Sequence, residues 1–154
     1  MRSVLLTVIL AAAVFPFTAR GQGRPDFSGT WTRVADRNYP AARGGSSHTI
    51  KQTTTEIAVT IAGRVGPETS IYKLDGSIST NQSQSPEGPL TIAGTARWDG
   101  ASLVIETTRE IRGTTITTRE VRTLDATGKE MTIEATTRSP QGEVKRTVVL
   151  TRAQ

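Results

Sequence analysis

The chain carries 154 residues, with 19 Lys and Arg against 14 Asp and Glu, one His and no Cys. The missing cysteine excludes a disulfide framework, a lipid-modified cysteine and any zinc site built on thiolates, so the fold rests on its core alone. The net charge of +5 and a pI near 10.2 invite a nucleic-acid reading, but aromatics make up only 5% and the basic residues alternate with Glu and Thr along the chain, which argues against a clustered, stacking nucleic-acid face.

The N-terminal segment comes first. Arg2 supplies a short positive start, and residues 4–17 are apolar except for Thr7. That run is shorter than the roughly 20 apolar residues that span a bilayer. Ala19 and Gly21 place small residues ahead of a cut before Gln22, the pattern of a secretory signal peptide. The expected organisation is a signal peptide over 1–21, a short linker over 22–26 and a single domain over 27–152. The alternative is a single N-terminal membrane anchor. No second apolar run follows, so no membrane span is expected once the signal is removed, and the expected location is periplasmic or extracellular.

From Phe27 onward the composition is that of a β protein. Thr recurs in pairs and triplets, at 53–55, 107–108, 114–115, 117–118 and 136–137. Branching at Cβ suits a pleated backbone and disfavours helix. Residues 28–34 read as a first strand, followed by a loop over 36–47 with Pro40, Gly44 and Gly45. Residues 50–53, 56–62 and 69–74 read as strands, and Asp75-Gly76 is a hairpin signal. Residues 77–81 pair back weakly, and 82–89, rich in Ser, Pro and Gly, read as a second loop.

The C-terminal half is clearer. Leu90, Ile92, Gly94, Ala96 and Trp98 alternate with Thr91, Ala93, Thr95 and Arg97, and Asp99-Gly100 turns the chain back. Residues 101–110, 114–124, 130–138 and 143–151 then follow one another through short turns. The whole is all-β, an antiparallel up-and-down meander of about eight to ten strands. Closure of such a sheet removes its two edges.

Gly29-Thr30-Trp31 on the first strand resembles the Gly-x-Trp signature of lipocalins and fatty-acid-binding proteins, the calycin barrels. The resemblance implies a closed or nearly closed calycin-like barrel. It also implies a lock at the closed end, in which Gly29 and Trp31 meet a cation from the last strand, here Arg152. The chain is further similar to small secreted bacterial lipocalin-like proteins in its Phe27-Ser28-Gly29-Thr30-Trp31 opening, in Trp98-Asp99-Gly100 followed by Leu103-Val104-Ile105-Glu106, and in a late Ser139-Pro140-x-Gly142 turn. It departs from both parent patterns. Residues 36–47 show no helical pattern where fatty-acid-binding proteins place a lid, and the C-terminal helix that lipocalins usually add is not expected.

Strand parity proposes a site. Arg109 shares a face with Leu103 and Ile105, Arg122 with Ile116 and Leu124, and Arg146 with Val144, Val148 and Leu150. Three arginines on apolar faces form a candidate ligand-binding set that clamps a carboxylate or phosphate. The plainer alternative is that each lies near a strand end, its stem on apolar surface and its head in water, with Glu120 neutralising Arg122. His48 reads as an exposed loop residue, since no Cys or His joins it to hold a metal. The glutamates at 106, 110, 120, 130 and 134 read as outer-face ion-pair partners. No catalytic residue, metal site or cofactor is expected. The expectation is therefore a monomeric, non-enzymatic barrel that binds a small apolar or amphipathic molecule. The alternative is an envelope interaction or inhibitor module acting through its rim loops, with the protein partner unknown.

Overall fold

A computed structural model describes residues 23–34, 37, 47–62, 66–86 and 88–153. The expected signal peptide lies outside these residues, as does most of the expected loop at 36–47. Ten strands follow in order: β1 Gly29–Arg33, β2 Ser47–Gln52, β3 Glu56–Ala62, β4 Pro67–Lys73, β5 Ser79–Ser85, β6 Gly88–Asp99, β7 Ser102–Ile111, β8 Thr114–Leu124, β9 Glu130–Ser139 and β10 Gly142–Arg152. Among the described residues there is no α-helix, and thus none long and apolar enough to cross a membrane.

Every sequential pair of strands is antiparallel except β4 and β5, and β1 closes the ring on β10. The sheet order β4-β3-β2-β1-β10-β9-β8-β7-β6-β5 brings its two edges together at one seam. Side chains from β5 replace the missing backbone ladder there. Asn81 accepts from Ile71 N at 2.8 Å and donates to Ile71 O at 3.1 Å. Ser79 Oγ accepts from Lys73 N at 3.1 Å. Glu68 reaches back to accept from Ser83 Oγ and Gln84 N. The barrel is nearly closed, and short polar side chains span its one gap in the backbone ladder.

That seam explains a correction. Residues 82–89 were expected to form a loop, yet β5 extends to Ser85 and β6 begins at Gly88. A strand whose inward side chains bond to a neighbouring backbone needs Asn and Ser where a core strand needs Val and Ile, so its composition mimics a loop. The second strand also starts earlier than expected, at Ser47, and takes in His48.

The core fills the end of the barrel where the chain enters and leaves. Phe27, Trp31, Leu103, Met131 and Leu150 are fully buried there, with Ile50 and Ile57. Trp31 donates from Nε1 to Phe27 O at 2.9 Å, and Arg152 lies over the indole with Cζ 4.3 Å from its centroid. The guanidinium also donates to the backbone carbonyls of Gly128 at 3.0 Å, Asp26 at 3.1 Å and Ser28. Gly29 has φ of +129°, and a Cβ there would fall 2.9 Å from Arg152 Nη1, so both backbone conformation and space demand glycine. Gly29, Trp31 and Arg152 thus form one contact that ties the first strand to the last.

Candidate functional site

The other half of the barrel is hollow. A cavity of about 250 Å³ opens toward the turns that join β5 to β6, β7 to β8 and β9 to β10. Its position follows from the alternation of the strands. Along β7 the inward positions run Leu103, Ile105, Thr107 and Arg109, and only the last three reach the cavity. Along β8 they run Leu124, Arg122, Glu120 and Thr118, and again the last three line it. All of the lining residues but Val59, Ile61, Ile92 and Ile105 carry a polar group.

The three arginines proposed from parity converge on this space, since Arg109, Arg122 and Arg146 all line it. They differ in depth. The side chain of Arg146 is 46% exposed, near the mouth, whereas Arg122 is only 3% exposed. Arg122 Nη2 donates to Glu120 Oε2 at 2.7 Å, and Arg146 Nη2 stands 3.7 Å from Glu120 Oε1. Arg122 Nε and Nη1 are buried with no hydrogen-bond partner among the described residues. The expectation of an arginine whose head reaches water holds for Arg146 and fails for Arg122, because Arg122 lies near the closed-end terminus of β8, deep below the rim. Glu120 is likewise an inward residue, not an outer-face partner as its alternation with Arg and Thr had implied. On the outer face, Glu106 does pair with Arg119, at 3.3 Å.

Charge in the hollow is unbalanced. Three guanidiniums line it against two carboxylates, Glu68 and Glu120, and Glu68 already accepts two hydrogen bonds across the seam. Burial pushes the Glu120 carboxyl up, but the Arg122 charge and hydrogen bond, helped by Arg146, outweigh it and hold the group below the usual carboxylate range. Burial, with the Arg146 charge, pulls Arg33 down.

His48 was missed by sequence reasoning. It is 6% exposed on β2, between Trp31 of β1 and Ile61 of β3, where an exposed loop histidine was expected. Its Nδ1 is buried without a partner among the described residues. Burial first, then Arg122, lower its pKa from 6.5 to about 4, with Arg33 and Arg146 adding and Glu120 opposing. The signal was available in Ile50, two positions on, which shares the inward face. Among the described residues no group of His, Asp and Glu is placed to hold a metal.

Fold and site together define a calycin-type barrel with a packed closed end and a polar, cation-rich hollow. Solved structures of similar architecture agree. A zebrafish ileal bile-acid-binding protein, crystallised with cholic acid, matches with a TM-score of 0.56 and 12% identity over 82% of this chain and 98% of its own. A secretory abundant heat-soluble protein from Ramazzottius varieornatus matches at 0.59 and 15% identity over 86% and 98%. A protein described as a fatty acid transporter matches at 0.54 and 12% over 82% and 96%. At these identities the likeness is one of fold. No protein-family model matches the chain, and none of the curated proteins does.

Proposed function

We propose that the barrel binds a small amphipathic organic acid, its anionic end against Arg122 and its apolar end along Val59, Ile92 and Ile105. The buried Arg122 guanidinium carries this reading, with two N–H donors that no described residue accepts. Leaving such donors unmade costs stability, and an anionic acceptor compensates a buried guanidinium more strongly than a neutral one. The surplus of one positive charge in the lining favours a monoanion. Two neighbours of the same fold carry related cargo by description, a bile acid and fatty acids. Binding without catalysis suits a site with an ion pair but no nucleophile poised beside a base. The apolar stretch at residues 4–17 supports a role after export, in the periplasm or outside the cell.

The test is displacement of an anionic environment-sensitive dye from the purified protein. Octanoate is expected to displace it, octanol at the same concentration far less. The double variant Arg122→Met with Glu120→Leu removes the charge and its partner together and is expected to lose the preference for the acid. Failure of every amphipath to bind at micromolar protein would overturn the reading.

A further inference from the structure

Along β4 the inward positions run Glu68, Ser70 and Tyr72, and the buried Leu74 follows just past the strand. The first three line the cavity, while Leu74 belongs to the packed core. Tyr72 is thus the last residue of its strand to touch the hollow. A similar border falls on β3, where Val59 lines the cavity and Ile57, opposite Tyr72 in the ladder, does not, and on β7, where Ile105 lines it and Leu103 does not. Tyr72 is the largest side chain at this level and is itself 6% exposed.

The wall just across the seam is shaped to receive it. A Cβ on Gly94 of β6 would lie 2.5 Å from Tyr72 Cε1 and 3.1 Å from Cδ1, so the ring lies directly on the bare backbone. The next inward position on β6 is Ala96, fully buried and small. Gly94 and Ala96 together leave a strip of β6 without bulky side chains, leading down toward the closed end, and the phenol ring lies across its top.

We infer that Tyr72 is the residue that sets the depth of the cavity and confines its ligand to short-chain acids. This rests on the binding reading above. A cavity of about 150 Å³ holds benzene, so about 250 Å³ admits a chain only modestly longer. It falls below the roughly 300–1,000 Å³ typical of sites for drug-sized ligands. Removing the ring adds the volume it fills beside Gly94 to the hollow and lengthens the space available to the tail.

The experiment is calorimetric titration of the purified protein with hexanoate, octanoate, decanoate, dodecanoate and hexadecanoate. In the unaltered protein, affinity should rise roughly fourfold for each methylene that finds apolar surface. The rise should stop near octanoate. Tyr72→Leu and Tyr72→Ala should carry it on toward dodecanoate, and Tyr72→Phe should leave the stopping point in place. Gly94→Ala acts in the opposite direction by driving the ring into the hollow, and should move the stopping point to a shorter chain. Thermal melts confirm which variants are folded, and the Gly94 and Tyr72→Leu variants keep the test open if Tyr72→Ala does not fold. An unchanged stopping point in the folded variants overturns the role of Tyr72 but leaves the binding reading intact. So does tight binding of hexadecanoate by the unaltered protein. Failure of the unaltered protein to bind any of the acids instead overturns the reading itself.

Discussion

Followed upward from the closed end, the inward side chains of β9 read Met131, Ile133, Ala135 and Thr137, and those of β10 read Leu150, Val148 and Arg146. β7 and β8 change in the same way, from Leu103 to Arg109 and from Leu124 to Thr118. One set of strands therefore builds two environments, an apolar plug below and a polar hollow above, with the border near Tyr72, Ile105 and Arg122. The difference teaches that the apolar core and the charged hollow are separated along the barrel axis and not assigned to different elements. The lower half gains from area removed from water. The upper half retains buried charge that is neither fully paired nor solvated, which costs stability.

The largest effect expected from this contrast is at the plug. Trp31→Ala should destabilise the protein by about 3–5 kcal/mol in denaturant unfolding, because it leaves a large cavity in a fully packed region. Thr118→Ala in the hollow removes one hydroxyl contact, to Thr137 Oγ1 at 3.1 Å, and should cost no more than about 1 kcal/mol. Equal costs at the two places would erase the distinction.

Next in size is the ion pair. Glu120→Leu alone strands the Arg122 charge in a buried setting and should cost about 3 kcal/mol by the same measurement. Adding Arg122→Met should recover most of that loss while abolishing preference for an anionic ligand. If the double variant is as unstable as the single one, the pair is a structural element of the barrel and the upper half resembles the lower more than is argued above.

The smallest effect is titration of His48. Its folded pKa of about 4 lies below the ordinary 6.5, so the unfolded chain takes up a proton first as pH falls. Stability should therefore decline between about pH 6.5 and about pH 4, by on the order of 3 kcal/mol in total, and level off below. The Glu120 carboxyl is held below the usual range and the Asp125 carboxyl at about 2, so their contributions are lost only at lower pH. Melting temperatures across this interval should fall for the unaltered protein and stay nearly flat for His48→Gln. Parallel slopes for the two would show that His48 does not carry the effect.

Much of this fold is legible in the sequence because β6 to β10 obey simple rules. Apolar and polar residues alternate, and Asp99-Gly100 and Pro140-Gln141-Gly142 interrupt them where the chain reverses. Only the start of β5 was legible, for a physical reason, since Asn81, Ser79 and Ser83 serve a seam and not a core. Parity told which face Arg109, Arg122 and Arg146 share. It could not tell depth along the axis, and depth separates the buried Arg122 from the half-exposed Arg146. His48 was hidden because a lone polar residue beside a Gly- and Ser-rich stretch resembles a loop, and only the register with Trp31 and Ile61 places it inside.

The ring closes where β1 meets β10, and Arg152 reaches the carbonyl of Asp26, 126 residues away in sequence. A chain made from its N-terminus therefore produces β1 long before its second neighbour exists. Until the final strand emerges, the hairpins from β1 to β4 present an unpaired edge, and the Trp31 indole lacks its cation. Contacts of such long sequence separation slow folding, so completion of the barrel must wait for the last dozen or so residues. Truncation by that amount should leave a chain that collapses without closing and that exposes strand edges prone to self-association.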